Sequence, residues 1–258
     1  MADALFERLA VDRFQPTDLA RGPWNPEALH GGPSAALMAG AAQVALGDDL
    51  FPARLTVELL RPVPVAPLTV EAEVIRHGSK VRLAAVTLRA ADQDVAMATA
   101  LGIRRACVVV PDQPSGGRPP PLGASREPAP DTDWTAFHFA GVDHRIVAGS
   151  WANPGPATDW IRLRVPVVAD EEPTPFQRVA AAADFGNGIS SLADFQSLTF
   201  INPDLTISLH RLPVGEWVCL DATSRLEPHG VGFAESALFD DQGRIGRAVQ
   251  SLLVEARA

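Results

Sequence analysis

The chain has 258 residues, enough for one large domain or two small ones. It is 47% hydrophobic and 21% charged, which is the composition of a globular protein and not of a disordered segment. Its net charge of -9 argues against a nucleic-acid partner or an anionic membrane surface, because neither attracts an acidic protein.

Cysteine and lysine are both rare. Cys107 and Cys219 are too few for a disulfide scaffold or a zinc cluster, so we expect core thiols in a reducing, cytoplasmic compartment. The first residues mix acids and bases among short apolar runs, so we expect no secretory signal, and no apolar stretch approaches the roughly 18 residues that span a bilayer. Of the 22 basic residues only Lys80 is a lysine, so an anion site would use arginine or backbone amides.

The first predicted element is a helix over 33–46, preceded by His30-Gly31-Gly32-Pro33. Its residues are nearly all small or apolar, and a helix that is apolar all round is buried. Two glycines and a proline at its start leave backbone N–H groups unobstructed at the positive end of the helix dipole. Such amides can hold an anion or a polarised carbonyl oxygen, but a tight loop-to-helix turn explains the glycines equally well.

Alternation with a period of two residues follows this helix and predicts antiparallel strands joined by short turns. The predicted strands are Leu55–Arg61, 67–77, 80–91 and 94–105.

Proline then dominates the segment 111–130, which contains seven prolines. Such a stretch lacks backbone donors and core-forming side chains, so we interpret it as a linker. The chain is thereby divided into an N-terminal domain (1–110), the linker (111–130) and a C-terminal domain (131–258).

The two halves repeat each other. Leu55–Arg61 (LTVELLR) matches Leu205–Arg211 (LTISLHR) at an offset of 150, and further along the offset becomes 152, pairing Ala96 with Ala248. The second half also begins with a predicted helix, over 174–192, with Thr174-Pro175 as its cap and first position. Its remaining predicted strands are 215–226, 231–240 and 244–255. A buried helix followed by a curved antiparallel sheet, present twice, predicts an α+β double hotdog.

One acid stands out in the second helix. Asp184 follows four alanines there. A buried carboxylate without partners is costly, so such groups are paired or belong to functional sites. A helix cap or a salt bridge to an arginine is the alternative explanation.

Several ordered motifs resemble the TesB-type (acyl-CoA thioesterase II-like) double-hotdog family over nearly the whole chain outside the linker. They are Trp24-Asn25-Pro26, His30-Gly31-Gly32-Pro33 with its small-residue helix, the segment 54–63 (RLTVELLRPV), Asn202-Pro203-Asp204-Leu205-Thr206 and the segment 243–253 (GRIGRAVQSLL).

This resemblance implies a site. In the family an aspartate orients and activates water with a hydroxyl or amide residue and a glutamine, which implies catalytic roles for Asp184, Asn202 and Gln250. The Gly32 amide, with Gly31 and His30, is implied to hold the oxyanion. Asn202 departs from the threonine of some members. Each of these residues also has an alternative explanation. Asn202 could form an Asx turn before the proline that follows it. Gln250 could be a solvent-facing strand residue, and His30 could make a hydrogen bond that fixes its loop.

The implied function is hydrolysis of an acyl-CoA thioester by activated water, without metal or cofactor, in a homo-oligomer. We expect an acyl tunnel lined by Leu37, Met38 and Phe185, and CoA at the surface near an arginine. The repeat places Ala98 opposite Gln250 and Pro52 opposite Asn202, which predicts one working site per chain.

Other chemistries have weaker support. No Gly-x-Ser-x-Gly elbow is present, Gly186-Asn187-Gly188 is too short for a dinucleotide fingerprint, and no spacing rule supports His138, Asp143 and His144 as metal ligands. A hotdog enoyl-CoA hydratase generally needs facing Asp and His side chains, and no histidine follows Asp184 at suitable spacing. A non-catalytic acyl-CoA-binding protein stays open as well, because a fold does not fix an activity.

Overall fold

The computed structural model describes residues 3–112, 117, 121–122, 133–151, 153–193 and 197–257. The first half contains helix α1 (Gly31–Leu46) and the strands β1 (Phe6–Arg8), β2 (Arg13–Pro16), β3 (Leu50–Leu59), β4 (Leu68–Arg76), β5 (Val81–Ala90) and β6 (Gln93–Arg104). The second half contains helices α2 (Pro175–Ala183) and α3 (Gly186–Ile189) and the strands β7 (Val142–Ser150), β8 (Asn153–Leu163), β9 (Leu198–Ile201), β10 (Asp204–Leu209), β11 (Val218–Leu226), β12 (Val231–Asp240) and β13 (Gly243–Ala256).

The strands form one continuous antiparallel sheet in the order β1-β2-β4-β5-β6-β3-β10-β13-β12-β11-β8-β7, with β9 paired to β13. The two halves meet at β3 and β10, where Thr56 lies opposite Thr206. These threonines are also equivalent in the sequence repeat, so a local twofold axis passes between them. Each half is one hotdog, and the predicted α+β double hotdog is confirmed.

The helices lie under this sheet. Helix α1 packs on β3 to β6, α2 packs on β8, β10 and β11, and the two helices contact each other. Ala35, Ala36, Met38 and Ala39 are fully buried, as predicted for an all-apolar helix. Their small side chains let α2 and the sheet approach α1 closely. Val44, near the end of α1, is 84% exposed, so the prediction of burial all round is wrong for the last turns of the helix.

Strand register corrects the predicted offset. The hairpin between β5 and β6 pairs Ala90 with Gln93, and the hairpin between β12 and β13 pairs Asp240 with Gly243, so the offset of 150 continues into the last strand of each repeat. The change to 152 was wrong, and Ala100, not Ala98, is the equivalent of Gln250. A slip of two residues keeps every side chain on the same face of a strand, so alternation alone could not detect it.

The second helix is shorter than the predicted 174–192. Thr174 and Gln177 form a capping box at its start, but α2 ends at Ala183 and a separate turn, α3, follows. The Asp184 carbonyl accepts a hydrogen bond from Gln250 Nε2, and a Cβ at Gly186 would lie 2.9 Å from Gln250 Oε1. The chain therefore turns where the sheet approaches it most closely.

Strands β1, β2 and β7 to β9 were not predicted. In β8, Pro154 and Pro156 interrupt the apolar alternation; they lie outside the part paired with β11, which covers Ala157 to Ile161. Most of the predicted linker falls outside the described residues, and the boundaries at 110 and 131 stay predictions. Within the described part, no helix has the length and apolarity needed to cross a membrane.

Candidate active site

Asp184 lies at the C-terminal end of α2 and its side chain is only 5% exposed. Its Oδ1 accepts hydrogen bonds from Asn202 Nδ2 at 2.9 Å and from Gln250 Nε2 at 3.3 Å. Its Oδ2 lies 2.8 Å from His30 Nδ1. The structure therefore brings together an acid, an amide from each of two strand regions, and a histidine from the other repeat.

His30 is the N-cap of α1, and its ring packs between Phe137 and Phe185, with centroid distances of 5.2 and 4.8 Å. The Gly32 N–H lies 3.1 Å from the same Nδ1 that faces Asp184. A ring nitrogen that donates its proton to a carboxylate cannot also accept one, so the Gly32 amide then donates to Asp184 as well. This amide is thus engaged with the acid, which the sequence did not predict.

The close approach of α1 to the Asp184 carboxylate requires a glycine at position 31. A Cβ at this position would lie 2.7 Å from Asp184 Oδ2, closer than side chains tolerate. The start of α1 therefore brings its backbone amides and the positive end of its dipole against the carboxylate, an arrangement that favours the ionised acid.

The electrostatics of Asp184 follow from these contacts. Burial by itself raises the pKa of a carboxyl group. The electrostatic attraction and hydrogen bond of the His30 ring, together with the hydrogen bonds from Asn202 and the Gly32 amide, outweigh burial, so the pKa of Asp184 lies below its ordinary value. Asp184 is a carboxylate at neutral pH, and no arginine is its partner within the described residues.

Further hydrogen bonds hold the amide side chains of Gln250 and Asn202 in place. Gln250 is 1% exposed and faces the interior, and its Oε1 accepts a hydrogen bond from the Asn187 N–H at 3.1 Å. Asn202 Nδ2 also donates to the Asp204 carbonyl at 3.2 Å. Both amides thus present N–H groups to Asp184, so the alternative of a solvent-facing Gln250 is wrong.

A cavity of about 510 Å³ lies beside this cluster, within the size range of small-molecule sites. Asp184, His30, Gly31 and Asn202 line its base, while Gln250 stands behind Asp184 and is not part of the lining. Aromatic rings form much of the wall. They belong to Trp24, Trp151, Phe185 and Phe200.

The predicted lining of the acyl tunnel is partly wrong. Phe185 lines the cavity, but Leu37 and Met38 are packed in the core and do not. The cavity instead runs beside the segment before α1 and the segment after β3. Trp24 could have been found, since it opens the first family motif; Phe200 and Trp151 lie in segments without a recognisable pattern.

Asp143 and His144, for which no spacing rule supported a metal site, have other partners in the structure. Asp143 binds Arg162 and Arg164, and buried His144 lies between Asp159 Oδ2 at 2.5 Å and the His138 carbonyl at 2.8 Å. No group of three potential ligands gathers as a metal site in the described part of the chain. Of the two thiols, Cys219 is buried, and burial raises its pKa, but Cys107 is exposed and not a core residue.

The first repeat lacks an equivalent cluster. Its helix contains no acid. At the other end of the helix pair, Gln177 lies against Gly40, where a Cβ would be 2.6 Å from Gln177 Nε2, and its Oε1 accepts from the Thr174 N–H. Ala100 and Pro52, the equivalents of Gln250 and Asn202, have no side-chain donor.

Comparison with known proteins places both halves in one family. Residues 20–103 match the model of an acyl-CoA thioesterase N-terminal domain, and residues 118–254 match that of an acyl-CoA thioesterase C-terminal domain. No curated protein matches the chain.

Solved structures share the whole double-hotdog fold. A protein of unknown function with a hot dog fold from Alicyclobacillus acidocaldarius has a TM-score of 0.74 at 20% identity, over 99% of this chain and 97% of its own. A tesB protein from Mycobacterium avium subsp. paratuberculosis has a TM-score of 0.70 at 17% identity (97% and 96% covered). Acyl-CoA thioesterase II TesB2 from Mycobacterium marinum has a TM-score of 0.68 at 17% identity (98% and 95% covered).

Proposed function

Because this chain belongs to the acyl-CoA thioesterase family, with both domains of that family in order, we propose that it hydrolyses an acyl-CoA thioester to a free acid and CoA. The observation that carries this proposal is the meeting of Asp184 with His30, Asn202 and Gln250 at the base of a cavity. The proposed reaction uses water and no metal or covalent cofactor.

The surroundings of Asp184 define its part in the reaction. His30, Asn202, Gln250 and the Gly32 amide all donate to its two oxygens. A carboxylate held by this many donors is a weak base, and little of its surface is left for water. We therefore assign Asp184 the role of holding and polarising His30, with Asn202 and Gln250 fixing the carboxylate.

His30 is the group placed to take the proton of the attacking water. Its Nδ1 faces Asp184, whereas its Nε2 has no hydrogen-bond partner among the described residues, and the ring lines the cavity. The water oxygen attacks the thioester carbonyl carbon as its proton passes to Nε2. When the carbon–sulfur bond breaks, the same proton goes to the departing thiolate.

The backbone at the start of α1 is placed to stabilise the oxyanion. Gly31 is the first residue of the helix, so its N–H has no partner within the helix, and Gly31 lines the cavity. The Gly32 amide already donates to the His30–Asp184 pair. We therefore assign the oxyanion to the Gly31 amide; one such donor in other enzymes is worth about 3 kcal/mol of barrier.

Thiol release from a panel of acyl-CoAs tests this function, with the acid product identified by mass spectrometry. We expect multiple turnovers that yield equal amounts of acid and CoA. Tight binding of acyl-CoA without turnover across the panel would instead identify a binding protein that has lost catalysis.

Hydration of an enoyl-CoA is a second candidate, favoured by one observation. Sequence spacing offered no histidine near Asp184, but the fold places His30 at 2.8 Å from it. Loss of the enoyl absorbance without thiol release would support hydration, and thiol release with the double bond intact would support hydrolysis.

A further inference from the structure

A second histidine–aspartate pair lies behind one wall of the cavity. The side chains of His144 in β7 and Asp159 in β8 are 1% and 0% exposed, compared with 11% and 5% for His30 and Asp184. His144 Nδ1 lies 2.5 Å from Asp159 Oδ2, and neither residue lines the cavity. The pair therefore does not touch a substrate, and any part that it has in the reaction is exerted through its neighbours.

The hydrogen-bond partners of this pair define its protons. His144 Nε2 lies 2.8 Å from the His138 carbonyl oxygen, which can only accept, so Nε2 carries a proton. An unprotonated Nδ1 and an ionised carboxylate would repel each other at 2.5 Å, so a second proton lies between Nδ1 and Asp159 Oδ2. The other carboxylate oxygen, Oδ1, accepts from the Arg145 N–H at 3.0 Å. The pair as a whole is neutral wherever the second proton resides, which lowers the cost of burying it.

His144 caps the single turn of π-helix at Phe137–Gly141, which precedes β7. A helix that stops after one turn leaves carbonyl groups without a partner in the helix, and the His144 ring binds one of them, that of His138. From the same turn, the Phe137 ring packs against His30 at 5.2 Å, and His138 lines the cavity. The buried pair thus holds a turn that supplies both a part of the cavity wall and a contact to His30.

The His144 ring also contacts two aromatic side chains of the cavity. Trp151 and Phe185 each pack nearly perpendicular to it, with centroid distances of 5.3 and 5.0 Å. Both line the cavity, and the His138 ring stacks against Trp151 at 6.2 Å. His144 therefore touches all three residues of what we call the aromatic wall: His138, Trp151 and Phe185.

We propose that His144 and Asp159 are positioning residues that set the acyl selectivity of this protein by holding the aromatic wall in place. The inference rests on the proposed function. Apolar side chains could fill the same interior without any polar group to satisfy, but they could not bind the His138 carbonyl. A wall that is held in one position admits acyl groups of some sizes better than others, so the discrimination depends on how firmly the wall is held.

Two variants separate this positioning role from a contribution to stability alone. In Asp159→Asn the amide nitrogen can donate to His144 Nδ1 and the amide oxygen can still accept from the Arg145 N–H, so the bond to the His138 carbonyl is kept. In the double variant His144→Phe with Asp159→Leu, apolar groups replace both partners and no buried charge is left unpaired. Only the double variant removes the donor that holds the turn.

The readout is the ratio of kcat/KM for the best and the worst substrate of the wild type among straight-chain acyl-CoAs. We expect this ratio to fall at least about tenfold in the double variant and to be unchanged in Asp159→Asn. The matched control is Asp240→Asn, because the Asp240 carboxylate is also fully buried, binds Arg211 and does not line the cavity. This control should lose stability and keep the ratio.

Three results would overturn the positioning role. They are a folded double variant with the wild-type ratio, an equal fall of the ratio in Asp240→Asn, and a wild type without preference among the acyl-CoAs. Loss of selectivity in Asp159→Asn would also contradict it, since that variant keeps the bond to His138. If the double variant does not fold, His144→Met combined with Asp159→Asn replaces it, because it keeps the acceptor for the Arg145 N–H, and the same fall is expected.

The test does not depend on turnover. If the wild type hydrolyses none of the acyl-CoAs, the proposed function fails, and calorimetric titration with the same compounds compares their binding instead. The ratio of Kd between the weakest and the tightest ligand should then narrow at least about tenfold in the double variant. An unchanged ratio would reject the positioning role.

Discussion

Asp184 is nearly buried and ionised at once, which is possible only because donors surround it. A carboxylate moved from water into an interior loses several kcal/mol of solvation unless hydrogen bonds replace it. Here the replacements are His30, Asn202, Gln250 and a backbone amide. The same contacts that make the charge tolerable also fix its position beside the cavity.

The pH dependence of stability has a defined sign at this residue. The pKa of Asp184 is lowered in the folded chain, so its ionisation stabilises the fold above the unfolded value of about 3.9, and this contribution is lost as pH falls toward the folded pKa. We expect the stability difference between wild type and Asp184→Asn to shrink below about pH 4. Urea unfolding of both proteins from neutral to acidic pH measures it; a difference that grows in acid would contradict the lowered pKa.

The variant His30→Gln distinguishes two roles of Asp184: to polarise His30, or to take the proton of the attacking water itself. A glutamine can still donate to the carboxylate but cannot take a proton from water, so we expect kcat to fall about 10²- to 10⁴-fold with folding intact. His229→Gln, in the exposed turn between β11 and β12, is the control. Nearly full activity in His30→Gln would mean that Asp184 takes the proton directly.

Gly31 offers a steric test of the contact between the repeats. A methyl group there would displace the Asp184 carboxylate, which lies 2.7 Å from the Cβ position. We expect Gly31→Ala to lower kcat at least about 100-fold, the loss that follows when a reacting group is misplaced by about 1 Å. Gly188→Ala is the matched control, since this glycine also lines the cavity and has nothing within 4 Å of its Cβ position. Equal activity in both variants would show that the close approach is not needed.

At the scale of elements, the two ends of α2 matter both for the stability of the fold and for the position of Asp184. Its capping box at Thr174 and Gln177 fixes the start, and the Gln250 contacts with Asp184 and Asn187 fix the end. Nine residues of helix therefore place the acid against the start of α1.

The cap gives a prediction for stability alone. Thr174→Ala removes the side-chain acceptor for the Gln177 N–H, so we expect the protein to lose about 1 kcal/mol of unfolding free energy. Denaturant titration measures this loss, and kcat should be unchanged where the protein remains folded. No change in the denaturation midpoint would show that the cap contributes nothing.

The elements could be predicted from the sequence where periodicity is strong. The strands after each helix were found within a few residues because apolar residues alternate along them. The end of α2 at Ala183 was missed, because four alanines favour a helix and the turn depends on contacts with β13. The offset of 152 was also wrong, since a period of two cannot separate registers that differ by two residues.

At the scale of the whole molecule, the site exists only because two repeats meet. The resemblance to the family predicted that Asp184, Asn202 and Gln250 lie together, and the structure does bring these three side chains together. The pairing of His30 with Asp184 was not predicted, because no local pattern relates residues in different repeats.

The asymmetry of the repeats predicts one site per chain. The first repeat has Ala100 and Pro52 in place of the two amides, and Gln177 lies against Gly40 at the equivalent end of the helix pair. Calorimetric titration with a non-hydrolysable acyl-CoA analogue should give a stoichiometry of one. Two equivalent sites per chain would contradict this asymmetry.

Thiol release from acyl-CoA by the Asp184→Asn variant tests the central claim most directly. Asparagine keeps the shape of the side chain but removes the charge that holds and polarises His30. We expect kcat to fall about 10²- to 10⁴-fold, while Asp241→Asn, the same change in the exposed turn between β12 and β13, keeps full activity. Full activity in a folded Asp184→Asn variant would show that the chemistry takes place elsewhere.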